Sequence, residues 1–360
     1  MKSNWPLLIR IFRQERLLGQ LQVAEWNLLI SQARQSYVLS KLYYFAEAQQ
    51  VLNSLPSAVF RHLQSARVHA EKQYRDFSWE VVKLQEAFSN CDYPLIFLKG
   101  GGYALAQLPP HKGRLFSDID LMVPIEAMAD AESRLAIYGW LGAKQDAYDQ
   151  RYYRQWMHEI PPLKHIRRGS VVDLHHNILP RTTAACPNAK LLLEAAVSAK
   201  TDSEVMVLSP FDRIVHSATH LFYEGELEHG FRDLLDLHDL LTELRDDERL
   251  ALVDRAKQLG LESPVYYALR YLQLILNMPG LEPAMQKMLN NGFSSKGLWL
   301  MDRLFCRALL PDHASCNDRF TQLARSVLYF RAHWLRMPWY LLLPHLSRKA
   351  WIRIVDRKHY

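Results

Sequence analysis

The chain has 360 residues, 49% apolar and 23% charged, with a net charge of +6. These proportions are those of an ordinary globular chain, carry no signature of disorder and allow a large core without cross-links. The modest positive charge permits anionic partners such as nucleotides or lipid headgroups and selects none of them.

From the N-terminus, the apolar run Trp5 to Ile9 is too short for the core of a signal peptide. No stretch of about 18 uncharged apolar residues occurs, so no transmembrane helix is expected. Residues 1 to about 90 read as helical. Apolar residues recur at three- and four-residue steps between Leu17 and Leu52, and Asn53-Ser54-Leu55-Pro56 breaks the pattern. A second pattern, Ala58 to Phe88, carries Tyr74, Phe77 and Trp79 as a packing surface. After a turn at residues 90–94, Leu95-Ile96-Phe97-Leu98-Lys99 reads as a buried strand ending in Gly100-Gly101-Gly102. A short helix is expected from Tyr103 to Leu108, then a loop from His111 to Ser117. Asp118 to Val123 reads as a strand stopped by Pro124, and Ile125 to Tyr138 as a helix. Tyr148 to Ile166, rich in aromatic and basic residues, fits no pattern. Ser170 to His176 reads as a further strand. From Lys190 the chain reads as helical, with Pro210 opening one helix and Phe231 to Leu241 forming another. The four cysteines, Cys91, Cys186, Cys306 and Cys316, lack C-x2-C spacing and read as free thiols.

Chemistry concentrates between the strands. Residues two apart in a strand share a face, so Asp118 and Asp120 project together. Two such carboxylates repel unless a cation or proton intervenes, and Mg²⁺ (or Mn²⁺) would also bind triphosphate oxygens. Val171, Asp173 and His175 share a face of the later strand. If the two strands are neighbours, three carboxylates converge as a metal site. Upstream, Lys99, Gly100 and Gly101 join a strand to a helix, where bare backbone N–H groups can approach phosphate. Lys99 and Arg114 could add positive charge. Each element alone has ordinary explanations, such as a solvated turn, a tight turn or an edge-strand acid. Their order along the chain gives them weight.

In that order they resemble a known family. Leu98-Lys99-Gly100-Gly101-Gly102-Tyr103-Ala104-Leu105, then Gly113-Arg114, then Ser117-Asp118-Ile119-Asp120-Leu121-Met122-Val123-Pro124 closely resembles the uncharacterised bacterial nucleotidyltransferases of the DNA polymerase β-like superfamily. Val172-Asp173-Leu174-His175 resembles the later acid-leucine-histidine strand. Leu208 to His220, and Phe231-Arg232 with Asp236, resemble the helical elements that follow. The likeness spans roughly residues 60 to 245. It implies a small mixed sheet, Asp118 and Asp120 as metal ligands, and Asp173 as third ligand or catalytic base. It further implies Gly100 and Gly101 at the nucleotide phosphates. Many superfamily members have glycine-serine after the first strand. Here Gly101 follows Gly100, so that hydroxyl is missing, and phosphate contact would fall to backbone N–H groups, Lys99 or Arg114. With Ser117 and His175 these residues make up the expected nucleotide-binding set.

Other features have plainer readings. His216 and His220 share a helix face, but no H-E-x-x-H acid accompanies them, so packing or substrate contact is favoured over metal. Arg232 and Asp236 are spaced for an intrahelical ion pair. Neither a P-loop, a G-x-G-x-x-G turn nor a G-x-S-x-G elbow is present. Residues 320–360 interleave basic and aromatic side chains, read first as a helix packing on the body, with a peripheral membrane anchor as the rival.

The sequence thus predicts an α+β protein. A helical region (1–90) and a helical region with a basic aromatic tail (181–360) would flank a small mixed β-sheet nucleotidyltransferase core (91–180). The activity expected is metal-dependent transfer of a nucleoside monophosphate from an NTP, with ATP the expected donor. A small molecule or a protein is expected as acceptor ahead of nucleic acid, and a cytoplasmic location is expected. The alternative is a non-catalytic nucleotide-sensing or protein-binding module on the same fold.

Overall fold

A computed structural model describes residues 5–142, 152–200, 205–225, 227–294, 296–338 and 340–341. The fold is mixed α+β with helical flanks. Four helices come first: α1 (Leu7–Phe12), α2 (Val23–Gln35), α3 (Leu39–Ala48) and α4 (Ser57–Ala87). The periodic run from Leu17 to Leu52 is not one helix. Tyr37 takes a left-handed φ of 59° and turns the chain between α2 and α3. The second run is continuous, and α4 spans 31 residues.

The sheet contains β1 (Ile96–Phe97), β2 (Ile119–Met122), β3 (Trp140–Gly142), β4 (Leu163–His165), β5 (Val171–His175), β6 (Val197–Ser198) and β7 (Met206–Val207). Their order is β3-β4-β5-β2-β1-β7-β6. β2 pairs in parallel with β5, and β1 with β7; the other pairings are antiparallel. The β6–β7 ribbon interrupts a region whose sequence reads as helical, because two-residue strands are too short to show a period. Helices α5 (Lys99–Leu105), α6 (Met128–Ile137) and α7 (Ala189–Glu194) complete this part of the chain.

α5 opens four residues earlier than its sequence suggests, at Lys99 rather than Tyr103, and so takes in the three glycines. Close packing explains this. A β-carbon on Gly102 would lie 2.7 Å from the Phe97 carbonyl oxygen, and one on Gly101 would lie 3.1 Å from the Phe77 ring of α4. Bare backbone here lets α5 sit directly on the sheet and under α4.

The remaining helices are α8 (Pro210–Tyr223), α9 (Gly230–Thr242), α10 (Asp246–Gln258), α11 (Glu262–Leu276), α12 (Glu282–Asn290), α13 (Leu298–Ala308) and α14 (Thr321–Arg336). α8 is the central one, packed by α9, α11 and α14. Pro210 occupies its first turn, and Ser209 caps it by accepting from the Asp212 N–H at 3.3 Å. Asp212 is fully buried and forked by Arg255 of α10 at 2.7 and 2.9 Å, which pins the start of α8 to α10. Buried apolar residues from Leu7 to Leu328 form one contiguous core. Through α14 the C-terminal segment packs on the body, where Arg331 and Arg336 donate to the carbonyls of Phe222 and Glu224. The basic tail beyond residue 341 lies outside the described residues. Among the described residues no helix is long and apolar enough to cross a membrane, and the four cysteines are free.

Candidate active site

The parallel register of β2 and β5 puts Asp120 directly beside Asp173 and Met122 beside His175. Asp118 stands just before β2, half-buried, with Ser117 Oγ donating to its Oδ1 at 2.9 Å. All three acids line one cleft of about 650 Å³, together with Lys99, Gly100, Arg114 and Ser117. Gly101 and His175, also expected at the nucleotide, are absent from that lining: Gly101 faces α4, and His175 is 1% exposed behind Asp120.

Asp120 is 5% exposed, and both of its donors bind one oxygen. Lys99 Nζ lies 3.0 Å and His175 Nε2 3.1 Å from Oδ1. Burial would raise this carboxyl, but Lys99 and His175 outweigh it and hold it well below the usual range. Burial likewise works against Lys99, and Asp120, Glu224 and Glu159 together keep it raised. Lys99 adopts φ 41°, a region that costs a non-glycine residue of order 1–3 kcal/mol. Asp173 differs: its Oδ1 is buried with no hydrogen-bond partner among the described residues. Burial first, then the neighbouring charges of Asp120 and Glu159, push its carboxyl up to about 7.

Asp118, Asp120 and Asp173 offer carboxylate oxygens, the donors a hard divalent cation takes, and one of these oxygens is a buried acceptor with no partner among the described residues. The three do not stand as close as His158, Glu159 and His175, the group among the described residues whose ligand atoms all lie within 4.8 Å of one another. The cleft as a whole makes the same demand. Its described lining carries eight carboxylates (Asp118, Asp120, Glu159, Asp173, Glu224, Glu228, Asp233 and Asp236) against three permanent cations (Lys99, Arg114 and Arg232). A triphosphate entering it needs cations to offset that charge.

Arg114 is set by the loop before β2. Gly113 has φ 74°, and a β-carbon there would lie 2.7 Å from the Lys41 backbone nitrogen, so the loop runs flush against α3. Arg114 then lies over the Tyr103 ring, 5.8 Å from its centroid, and pairs with Asp236. A β-carbon on Gly100 would sit 2.6 Å from Arg114 Nε, so the bareness of Gly100 makes room for this guanidinium. Lys41 joins the same group, 3.3 Å from Asp236 and 2.6 Å from Asp239. Arg232 pairs with its neighbour Asp233 at 2.9 Å rather than with Asp236. The ion pair suggested by helical spacing is therefore not formed: Arg232 takes its neighbour, and Asp236 takes the distant Arg114 and Lys41.

His220 faces the cleft and pairs with Glu224 at 2.8 Å, while His216 is buried and kept neutral by desolvation and then by Lys99. Sequence reasoning did not find Glu159, Glu224 or His158. Glu159 bridges to His175 from the stretch that fits no pattern, and the adjacent His158-Glu159 pair was its one chemical signal.

No curated protein and no solved structure matches the chain. A family model described as an uncharacterised nucleotidyltransferase matches residues 22–277, well over half of the chain and beyond the span carrying the sequence likeness. The chain therefore belongs to this uncharacterised nucleotidyltransferase family.

Proposed function

We propose that the protein transfers a nucleoside monophosphate from an NTP, with ATP the simplest donor, to an acceptor that is a small molecule or a protein. The observation that carries this reading is the pairing of Asp120 with Asp173 across parallel strands, with Asp118 beside them in one cleft. Asp118, Asp120 and Asp173 would hold Mg²⁺ (or Mn²⁺), which when bound offsets charge on the attacking and leaving oxygens. An acceptor oxygen forms a bond to the α-phosphorus as the bond to the β-phosphate oxygen breaks, and pyrophosphate leaves. In this reading Asp173 also stands beside the metal to accept the acceptor's proton. Lys99 and His175 hold Asp120 ionised and oriented. Ser117 steadies Asp118 by its hydrogen bond. Backbone at Gly100 and the Arg114 guanidinium border the phosphates.

Incubation with labelled NTPs and cell extract tests this. Label appearing on a defined acceptor, and absent with the Asp118→Asn variant, supports it. Mg²⁺–NTP binding without label on any acceptor would favour the nucleotide-sensing alternative.

A pH dependence follows from Asp173. An unfolded aspartate titrates near ~3.9, and in the folded, metal-free chain the group sits at about 7. The folded state therefore binds the proton more tightly. The stabilisation is complete at low pH and is lost as pH rises through about 7. A cation needs the ionised form. The rise in melting temperature on adding Mg²⁺ is thus expected to be small about one unit below that value and full about one unit above. A pH-independent rise would remove Asp173 from the ligand set.

Peripheral lipid contact through the C-terminus has one supporting observation. Leu323, Val327, Phe330 and Trp334 are exposed at helical spacing on α14, ahead of the basic tail. Vesicles with anionic headgroups are expected to float the full chain and not a 1–319 chain, which lacks both α14 and the tail. Equal flotation of both would assign no role to the tail.

A further inference from the structure

His158, Glu159 and His175 form a second donor group, beside the three aspartates rather than among them. One ligand atom from each lies within 4.8 Å of the others. His175 Nδ1 is 3.4 Å, and His158 Nε2 3.9 Å, from Glu159 Oε2. The two imidazole rings are 5.3 Å apart, and the histidines are 5% and 1% exposed. His175 Nδ1 is buried, makes no hydrogen bond, and faces into this group.

Backbone pairing fixes the arrangement. Ile160 N–H donates to Leu174 at 3.0 Å and His176 N–H to His158 at 2.8 Å, which hold residues 158–160 along β5. The opposite nitrogen of His175 is engaged by Asp120 Oδ1 at 3.1 Å. A carboxylate taking one imidazole N–H leaves the other nitrogen as a lone-pair donor, as carboxylates do behind metal-ligating histidines.

We infer that His158, Glu159 and His175 bind a borderline transition cation of the Zn²⁺ type, distinct from the hard cation of the aspartates. Two imidazoles and one carboxylate select such ions over Mg²⁺. Three protein donors leave a coordination position open. Glu159 also lines the cleft, so the bound ion stands next to the proposed nucleotide site. Through His175 the ion fixes Asp120, coupling the two sites. The inference does not depend on nucleotidyl transfer.

The test is a Co²⁺ titration of the full chain, stripped by chelator and kept in excess Mg²⁺. One equivalent of Co²⁺ is expected to bind with visible ligand-field absorption and hyperfine-shifted imidazole N–H signals. Asp118→Asn should retain this binding. Asp120→Asn, which removes the outer carboxylate, should weaken it by about 10–100-fold. His158→Ala and His158→Gln, each checked by its melting curve, should weaken it at least as much. Absence of imidazole-coordinated Co²⁺ in the wild-type chain, displacement by Mg²⁺, or undiminished binding by a folded His158 variant would overturn the inference. A proton held between His175 and Glu159 would then account for the geometry.

Discussion

Replacing Asp118 with Asn is expected to lower NTP-dependent transfer by about 10²–10³-fold, the loss typical of removing one preorganised electrostatic contact to a transition state. The fold should be unaffected. Asp118 is half-buried and, among the described residues, accepts only from its neighbour Ser117, so no buried cation there is left unpaired. Asp120 makes a poorer probe of the same site. Its removal takes from Lys99 its direct ion-pair partner and leaves it the more distant Glu224 and Glu159; losing one partner of a buried pair costs roughly 3–5 kcal/mol. Initial rates alongside melting curves separate the two effects. Asp118→Asn should lose rate at constant stability, and Asp120→Asn should lose both. Full transfer by Asp118→Asn would refute its role.

The largest effect on stability is expected at Asp236. This carboxylate is 2% exposed and faces two cations from distant parts of the chain, Lys41 of α3 and Arg114 of the loop before β2. Lys41 keeps a second partner in Asp239, but Arg114 would retain only Asp233, at 4.0 Å. Asp236→Ala should therefore cost roughly 3–5 kcal/mol in urea unfolding. It should also release Arg114 from the cleft wall. Asp247→Ala is the control, because both it and its partner Arg245 are largely exposed and such pairs contribute little to stability. A loss at Asp236 no larger than at the control would show that this ion group does not tie α3 and α9 to the cleft.

The parts of the site legible in the sequence were those governed by short-range regularity. Strand alternation around Asp118 and Asp120, and again around Asp173 and His175, assigned their faces before their adjacency was known. The parallel β2–β5 register then brings them together. The glycines were visible as a feature but ambiguous in role. Gly101 and Gly102 answer packing demands from Phe77 and Phe97, and Gly100 one from Arg114. None of these neighbours can be read from spacing. The pairing of Arg114 with Asp236 crosses 122 positions, whereas helical spacing offered Arg232 a nearer partner. His158 and Glu159 sit in irregular backbone, where no period exists to report a face.

Nucleotidyl transfer breaks the donor between its α- and β-phosphates. Two preparations of ATP, one labelled at the α-phosphate and one at the γ-phosphate, test it directly with the same extract or purified acceptor. Nucleotidyl transfer predicts that α-label joins the acceptor while γ-label leaves in pyrophosphate. Transfer of γ-label to the acceptor, with α-label remaining in solution, would contradict it.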